Sequence, residues 1–451
     1  MDRLTEMTLD ELRIRFEDHQ IRRVKLGVTD IDGVLRGKYI SLDKFFSAAK
    51  SELGFCDVIF GWDIGDVLYD NVQLTGWHTG YPDAPAKIDL STFRLIPWEP
   101  GTAFFLMDMY LKTGEPHPAS PRQVLRKVLA EAARRGHKVC FAAEYEFWLF
   151  DETAASLREK GFRNLKPVSP GMFGYSVLRA SQNQQLVIDL MELLAGFNIP
   201  LEGFHTETGP GVYEAAIAVD TGLAAADKAV LFKTAVKEIC ARHGVTPTFM
   251  AKWNAELPGS SGHIHQSLWT DRNLFHEAGG GMSEVMRQYI NGMVENLPDV
   301  MAMICPTINS YKRTVPGAWA PVNATWAVDN RTTAVRAIPG GAKSARVELR
   351  LSGADMNPYL AMAASLAAGL EGVELGAEPP DATVNGYEAG GPGRLPGSLA
   401  EASRLFRTSE FTRKWFGDAF VDHFAATREW EVRQFEKAVT DWELGRYLES
   451  I

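Results

Sequence analysis

Hydrophobic and polar residues alternate along the chain with two different periods. Residues 11–20 repeat apolar side chains at helical spacing, whereas residues 22–41 alternate as strands around an Asp32-Gly33 turn, the pattern of a β-hairpin. After residue 113, helical patterns are separated by short strand-like segments, which favours one large α+β domain. Its helices are predicted at 122–136, 179–196, 222–243, 282–303 and 356–373.

The pattern divides the chain into a β-rich first part and a larger second part. Proline-containing turns at 81–85 and 116–121 interrupt the regular patterns, so we predict domains 1–113 and 114–451. Residues 386–397 are rich in glycine and predict a loop. Residues 409–447 predict a helical tail with an aromatic packing face formed by Trp415, Phe420, Phe424, Trp430 and Phe435.

The composition is that of a globular protein with an acidic surface. The 451 residues include 47 Lys and Arg against 57 Asp and Glu, a formal net charge of −10, which argues against nucleic acid as a partner.

The four cysteines have no C-x-x-C spacing and are predicted to be reduced core thiols. The N-terminus carries no apolar signal segment, and the apolar run 361–370 is too short to span a bilayer. The sequence therefore predicts a cytoplasmic protein with no membrane partner.

Charged side chains recur two residues apart in strand-like segments. Glu144 and Glu146 fall on one face of such a strand, while the residues between and around them are apolar. The same spacing recurs in two further strands, and a Gly-Pro-Gly turn brings two more carboxylates together. These sets are His263 with His265, Arg346 with Glu348 and Arg350, and Glu207 with Glu214.

Five glutamates that converge with a histidine would be untenable in a cleft without cations, because the carboxylates repel one another. An oxygen-rich ligand set suits Mg²⁺ or Mn²⁺ better than zinc, so the sequence predicts a two-metal site. Any single pair of this kind is more often a solvated strand face. Four pairs flanked by apolar residues favour the metal interpretation.

A group of cations follows between residues 309 and 336. Carboxylate-held metals commonly serve phosphoryl groups, and arginine forks match phosphate oxygens, so the two features together predict transfer of a nucleotide's terminal phosphate. The absence of a G-x-x-x-x-G-K-[ST] loop excludes a P-loop enzyme. The absence of a G-x-S-x-G elbow argues against a serine hydrolase. The cations are Lys312, Arg313, Arg331 and Arg336.

The segments that carry these side chains form long, specific motifs. They are AEYEFWLF at 143–150, TETGPGVYE at 206–214, GSSGHIHQS at 259–267, NSYKRTVPG at 309–317, DNRTTAVR at 329–336, RVELR at 346–350 and NPYL at 357–360. In these motifs the chain resembles the glutamine synthetase family, over essentially its whole length. The resemblance implies a β-grasp N-terminal domain and a catalytic domain whose antiparallel strands form a funnel. It also implies a homo-oligomer, a dodecamer of two hexameric rings with active sites between neighbouring subunits.

The resemblance implies two or three Mg²⁺ or Mn²⁺ ions per site, with ATP as co-substrate. The ligands expected on the acid-substrate side are Glu146, Glu207 and Glu214. The ligands expected on the nucleotide side are Glu144, His263 and Glu348.

The other matched positions are expected to bind substrates. The residues expected at the nucleotide and its phosphates are His265, Ser267, Arg331, Arg336 and Arg346, of which Arg331 and Arg336 also act in catalysis. The residues expected at the acid and the amine are Gly259, His263, Arg313, Arg350, Tyr175, Trp319 and Trp62, together with a catalytic Asp63.

The family reaction activates the γ-carboxylate of glutamate with ATP, and an amine then attacks the acyl phosphate. This chain departs from the family at three places. Trp319 replaces the glutamate of Gly-Tyr-Glu-Ala-Pro that helps to deprotonate ammonium, so an apolar wall replaces a base. The ammonium-binding Phe-Asp-Gly-Ser-Ser of the family has become residues 60–66. There the resemblance implies that Asp63 keeps the aspartate role from a neighbouring subunit, and Trp62 is expected to add a second aromatic wall. Pro258 replaces an asparagine that contacts glutamate, which leaves the identity of the acid open.

The sequence therefore predicts an ATP-dependent ligase that forms a γ-glutamyl amide from glutamate and an organic amine, such as a monoamine, polyamine, ethanolamine or aniline. Two alternatives stay open. One is an ammonia-using glutamine synthetase in which another group replaces the missing base. The other is a non-catalytic family member, which predicts lost metal or phosphate ligands, whereas all the matched positions are present.

Overall fold

The computed structural model of the protein describes residues 8–315, 317, 319–387 and 393–451. Ala318, next to Trp319, and residues 388–392 of the predicted Gly-rich loop lie outside the described residues. Among the described helices, none is long and apolar enough to cross a membrane.

The first sheet has five strands, and two helices cover one of its faces. Phe16 of α1 (Leu9–Asp18) and Phe45 of α2 (Leu42–Ala48) pack against Phe105, with ring centroids 6.4 and 4.8 Å away. Among the described strands of this sheet, β1 and β5 pair in parallel and the other neighbours pair antiparallel. The strands are β1 (Arg23–Thr29), β2 (Leu35–Ile40), β3 (Leu53–Cys56), β4 (Asp83–Leu95) and β5 (Thr102–Met109), in spatial order β2-β1-β5-β4-β3.

The predicted hairpin at 22–41 is confirmed as β1 and β2. Asp30 Oδ1 accepts hydrogen bonds from the backbone N–H of Asp32 at 3.0 Å and of Val34 at 2.9 Å. Gly33 has φ +84°, a left-handed conformation that glycine adopts without a steric penalty. The predicted domain boundary at residue 113 falls between β5 and the next helix. That boundary and the β-grasp class stay predictions.

The second sheet, called the large sheet below, is antiparallel except for its parallel edge pair β12 and β13. It follows the order β12-β13-β14-β11-β6-β8-β7, and β9 and β10 pair with β6. It confirms the predicted antiparallel catalytic sheet and the α+β class. Its strands are β6 (Lys138–Phe150), β7 (Leu201–Thr206), β8 (Val212–Ile217), β9 (Asp220–Thr221), β10 (Thr246–Thr248), β11 (Gly262–Trp269), β12 (Trp326–Val328), β13 (Val335–Ile338) and β14 (Arg346–Leu349).

Helices pack on the apolar face of the large sheet and form the rest of the core. Four of the five predicted helices are confirmed to within a few residues as α3, α7, α8 and α9. The helices are α3 (Pro121–Arg134), α4 (Ala154–Glu159), α5 (Val177–Gln182), α6 (Gln184–Gly196), α7 (Gly222–Arg242), α8 (Glu284–Ile304), α9 (Pro358–Leu375), α10 (Leu399–Thr408), α11 (Glu410–Phe416), α12 (Asp418–Lys437) and α13 (Asp441–Tyr447), with short 3-10 helices at Asp57–Phe60 and Ser310–Lys312.

Four sequence predictions need correction. The helix predicted at 179–196 is two helices, because Asn183 leaves the helical region at φ −109° and ψ 28°. The helical tail is three helices, and the first break is at Gly417 with φ +85°. Phe435 does not complete the packing face, since it is 43% exposed. All four cysteines are free thiols, as predicted, but only Cys240 and Cys305 are buried core residues.

Candidate active site

Six neighbouring strands of the large sheet turn a charged or imidazole side chain to the same face. Side chains alternate along a strand, and residues directly opposite each other on neighbouring strands share a face. The i, i+2 spacing in the sequence therefore becomes a continuous polar row in the structure. The opposed pairs are Arg336 with Glu348, Glu348 with His265, His263 with Glu144, Glu146 with Glu214, and Glu214 with His205.

One end of the row is centred on Glu348, which is 1% exposed. His263 Nδ1 lies 3.3 Å from Glu348 Oε1 and 3.5 Å from Glu144 Oε2. His265 Nε2 lies 3.0 Å from Glu144 Oε1. Arg336 Nη1 donates to Glu348 Oε2 at 3.0 Å. Two carboxylates, two imidazoles and a guanidinium therefore form one connected group.

The other end of the row brings together Glu207 and Glu214, as was predicted from the Gly-Pro-Gly turn between them. His205 Nε2 lies 3.0 Å from Glu207 Oε1 and 3.6 Å from Glu214 Oε1. The ring of Tyr175 stacks on His205, with centroids 4.4 Å apart and planes 12° apart. Tyr175 has φ +55°, and its backbone N–H donates to Thr206 O at 2.7 Å. This bond fixes the aromatic ring over the imidazole.

The carboxylates of the row differ in their electrostatic environments. Burial raises the pKa of Glu214 to about 9, and the charges of Glu146, Glu144, Glu207 and Glu348 add to the effect. Burial acts in the same direction on Glu348, but His263 and other cationic neighbours outweigh it and lower its pKa to about 2. A bound cation would therefore relieve more charge repulsion at the Glu214 end than at the Glu348 end of the row.

Three sets of side chains in the row fit a metal ion, since the ligand atoms within each set lie within 4.8 Å of one another. His263 Nε2 is also buried with no hydrogen-bond partner among the described residues. Carboxylate oxygens with an imidazole suit Mg²⁺ or Mn²⁺, and a divalent cation would offset the repulsion that raises the pKa of Glu214. The sets are Glu144, His265 and Glu348; Glu144, Glu214 and His263; and His205, Glu207 and Glu214.

These sets contain all the predicted metal ligands except Glu146. Glu146 lies in the row opposite Glu214, but its Oε2 accepts a hydrogen bond from the backbone N–H of Ser261 at 2.6 Å. His265 was expected beside the nucleotide, and it also contacts Glu144.

Arg313 is buried beside the start of β11 and is 2% exposed. Its Nη1 donates to Leu351 O at 2.9 Å and its Nη2 to Ser261 Oγ at 2.9 Å. A Cβ at position 259 would approach Ala251 O to 2.6 Å and Arg313 Cγ to 2.7 Å. Gly259 is therefore required for Arg313 to lie where it does.

Two of the predicted nucleotide residues, Arg346 and Ser267, lie on β14 and β11 further along the sheet from Glu348. Arg346 Nε donates to His265 Nδ1 at 3.1 Å. Ser267 lies two residues further along β11 and is buried. Arg350 Nη1 donates to Glu348 Oε1 at 2.5 Å, and its Nε donates to Arg331 O at 3.1 Å. Arg331 itself is exposed.

Trp319 is 65% exposed and has φ +57°. Burial raises the pKa of the neighbouring Tyr387, and Arg350, the Trp319 backbone and Arg313 partly offset this effect. Trp319 therefore lies at the same end of the site as the two arginines.

Trp62 and Asp63 lie on the loop at 61–81 that follows the first 3-10 helix. The guanidinium of Arg36 lies over the Trp62 ring, 5.1 Å from its centroid. Asp63 Oδ2 accepts a hydrogen bond from Trp430 Nε1 at 3.1 Å. Within the chain, Trp62 thus contacts β2 and Asp63 contacts α12.

Sequence analysis missed His205 and Tyr387 as site residues. His205 precedes Glu207 by two positions. The same two-residue spacing identified the other pairs, so it could have identified His205 as well. Tyr387 follows no such pattern, because it lies in the Gly-rich region and approaches the arginines only through the fold.

The curled antiparallel sheet, with carboxylates and imidazoles along one face and arginines beside them, defines the class of protein. A family model described as the catalytic domain of glutamine synthetase matches residues 118–447, and the chain belongs to this family.

The names of the individual relatives indicate different substrates. Type-1 glutamine synthetase 2 of Dictyostelium discoideum is 50% identical over 438 residues, 95% of this chain and 84% of that protein. The glutamate–isopropylamine ligase of a Pseudomonas species is 42% identical over 450 residues, 98% of each. The solved structure of a GmaS/ADP complex has a TM-score of 0.84 at 28% identity, covering 97% of this chain and 99% of that one. The chain is thus a ligase of the glutamine synthetase type.

Proposed function

We propose that this protein is an ATP-dependent ligase that joins glutamate to an organic amine through a γ-glutamyl phosphate intermediate. The observation that carries this choice of amine is Trp319, an exposed indole where the family has a glutamate that helps to deprotonate ammonium. An indole provides an apolar wall and accepts no proton. The relative named for isopropylamine adds support, since the alkyl group of that amine is branched and apolar.

Two or three Mg²⁺ or Mn²⁺ ions would be held along the polar row. When bound, the ions supply positive charge that offsets the charge of the phosphoryl oxygens. The residues that would hold them are Glu146, Glu207 and Glu214 on the glutamate side, and Glu144, His263 and Glu348 on the ATP side.

The arginines and their supports then position the two substrates. Arg313 is held by Leu351 and Ser261, so its remaining N–H groups are fixed in direction for a glutamate carboxylate, with Arg350 beside it. Gly259 keeps the space that Arg313 needs, and Tyr175 closes the Glu207 end. The residues proposed at ATP are Arg331, Arg336, Arg346, His265 and Ser267, with Arg331 and Arg336 in contact with the transferred phosphate.

The site would be completed by Asp63 and Trp62 of a neighbouring subunit in a dodecamer of two hexameric rings. The loop around Asp63 exposes apolar side chains, with Ile64 63%, Val67 53% and Trp77 79% accessible. Grouped apolar exposure of this kind is typical of a surface that another protein covers. Asp63 would bind the cationic form of the incoming amine, and Trp62 would line its pocket.

Ammonia remains the second candidate substrate, because the relative at 50% identity is named a glutamine synthetase. In that case another group would have to accept the ammonium proton in place of the missing glutamate.

The deciding experiment measures phosphate release from ATP in the presence of glutamate, Mg²⁺ or Mn²⁺ and one amine at a time. The panel is ammonium, methylamine, isopropylamine, ethanolamine, putrescine, spermine and aniline, with mass spectrometry of the product. We expect kcat/KM for one organic amine to exceed that for ammonium by at least about tenfold. The highest kcat/KM with ammonium would instead identify a glutamine synthetase.

A further inference from the structure

The carboxylate of Asp63 is held in one orientation by three donors of its own chain. Its Oδ1 accepts from the backbone N–H of Gly65 at 2.8 Å and of Val67 at 2.9 Å. Its Oδ2 accepts from the indole Nε1 of Trp430 at 3.1 Å. The two backbone donors belong to the same loop, whereas Trp430 belongs to α12, more than 360 residues along the chain.

Further contacts fix the same loop to α12. The ring of Tyr69 meets Trp430 edge to face at 5.8 Å, and Asn71 Nδ2 donates to Ala426 O at 2.8 Å. Arg433 forms an ion pair with Asp70. Trp430 is only 7% exposed, so its N–H is a largely desolvated donor with a fixed direction.

A carboxylate has about four acceptor positions on its two oxygens. The three donors occupy two positions on Oδ1 and one on Oδ2. The position that remains is on Oδ2, the oxygen that Trp430 orients. A cationic amine that approaches Asp63 would therefore meet an acceptor whose direction is set by α12.

We propose that Trp430 is a positioning residue for the incoming amine, because its indole N–H fixes the Asp63 carboxylate toward the amine pocket; this rests on the proposed role of Asp63. α12 then contributes to amine binding through the orientation of Asp63. ATP and glutamate bind through other elements and should not depend on Trp430.

Trp430→Phe tests this inference, since it removes the N–H and keeps a ring against Tyr69. The matched control is Trp415→Phe on α11, because Trp415 is 5% exposed and its Nε1 donates to Glu371 Oε2 at 2.8 Å, away from the loop. Steady-state kinetics would use whichever amine the enzyme turns over best, so the test does not depend on the identity of the amine.

In Trp430→Phe we expect KM for the amine to rise about three- to tenfold, with KM for ATP and glutamate and the kcat at saturating amine within about twofold. Trp415→Phe should leave all these constants unchanged. In the Asp63→Asn background, Trp430→Phe should add no further change, because its effect passes through the carboxylate. Arg433→Gln, at a half-buried position, gives a second test if Trp430→Phe does not fold, and should raise KM for the amine at least about threefold while KM for ATP and glutamate stays within about twofold.

Three outcomes would overturn the inference. If KM for ATP and for glutamate rises together with KM for the amine, the effect is a general loss of packing. The same conclusion holds if Trp415→Phe behaves like Trp430→Phe. If Asp63→Asn raises KM for the amine and Trp430→Phe does not, Asp63 binds amine without help from α12, and the proposed function stands. If Asp63→Asn changes nothing, the proposed role of Asp63 fails as well.

Discussion

At the scale of single residues, Glu214 shows most directly why the site needs a cation. Its raised pKa of about 9 means that folding without a metal takes up a proton at neutral pH. Stability therefore falls as the pH rises from the ordinary value of 4.5 toward 9, unless a cation is bound. Glutamine at this position would remove the titration and, with it, a proposed metal ligand.

We expect Glu214→Gln to change the melting temperature in opposite directions with and without metal. In EDTA the variant should melt at or above the wild type, since the buried carboxyl group is gone. Saturating Mn²⁺ should stabilise the wild type by about 2.7 kcal/mol at 100 times its Kd, a gain of a few degrees, and the variant by less. Differential scanning calorimetry measures both, and exposed Glu202→Gln on β7 is the control. A full Mn²⁺ gain in Glu214→Gln would show that Glu214 is not a ligand.

Trp319 is the residue that we expect to set the choice of amine. Trp319→Glu restores the acid that the family uses with ammonium, and general bases of this kind contribute about 10²- to 10⁴-fold. The ratio of kcat/KM for ammonium to that for the preferred organic amine should therefore rise at least about tenfold. Because the side chain is 65% exposed, stability should change little. Trp319→Phe, which keeps an aromatic wall, should retain the preference for the organic amine, and an unchanged ratio in Trp319→Glu would contradict this role.

At the scale of elements, one buried arginine joins the first sheet to the helices behind the large sheet. Arg122 of α3 lies 2.8 Å from Asp89 on β4, 2.8 Å from Asp108 on β5 and 2.9 Å from Asp227 on α7. Tyr359 of α9 donates to Asp227 Oδ1 at 2.6 Å. The N-terminal sheet is thus joined to the helices behind the large sheet by ion pairs as well as by packing. The loop with Asp63 belongs to this N-terminal part of the chain.

Arg122→Met should lower the free energy of unfolding by about 3 to 5 kcal/mol, because it leaves buried carboxylates without their main cation. The control on the same helix is Arg134→Met, whose pair with Glu131 is exposed and should contribute little to stability. Urea unfolding followed by far-UV circular dichroism, at one protein concentration, compares the two variants. Equal losses would mean that Arg122 contributes no more than a surface pair.

Sequence periodicity predicted the elements whose side chains repeat regularly. Glu144 and Glu146 could be placed on one face of β6 because alternation is a property of any strand. Which strand lies opposite which could not be derived that way, since register depends on pairing between distant segments, as for His263 with Glu144. The break at Gly417 was missed because a single positive φ interrupts a pattern that stays amphipathic on both sides. The contact between Asp63 and Trp430 had no local signal at all.

At the scale of the whole molecule, the location of Asp63 bears on whether it completes the active site of its own subunit or that of a neighbouring subunit. The loop at 61–81 contacts α12 and β2 of its own chain and exposes apolar side chains outward. The polar row lies on the large sheet. If the ring assembly is correct, each site combines the row of one subunit with the Asp63 of the next.

Subunit mixing tests this arrangement directly. We expect Asp63→Asn and Glu146→Gln each to be nearly inactive at amine concentrations below KM, and co-expression of the two, with separate tags, to restore activity. Random assembly in equal amounts gives about one quarter of the sites two intact halves, so the recovered activity should approach about one quarter of the wild type. Mixing Glu146→Gln with Glu207→Gln, both in the row, should restore nothing. If the first mixture also stays inactive while mixed oligomers are isolated through both tags, Asp63 serves the site of its own chain, because every site then carries one defect.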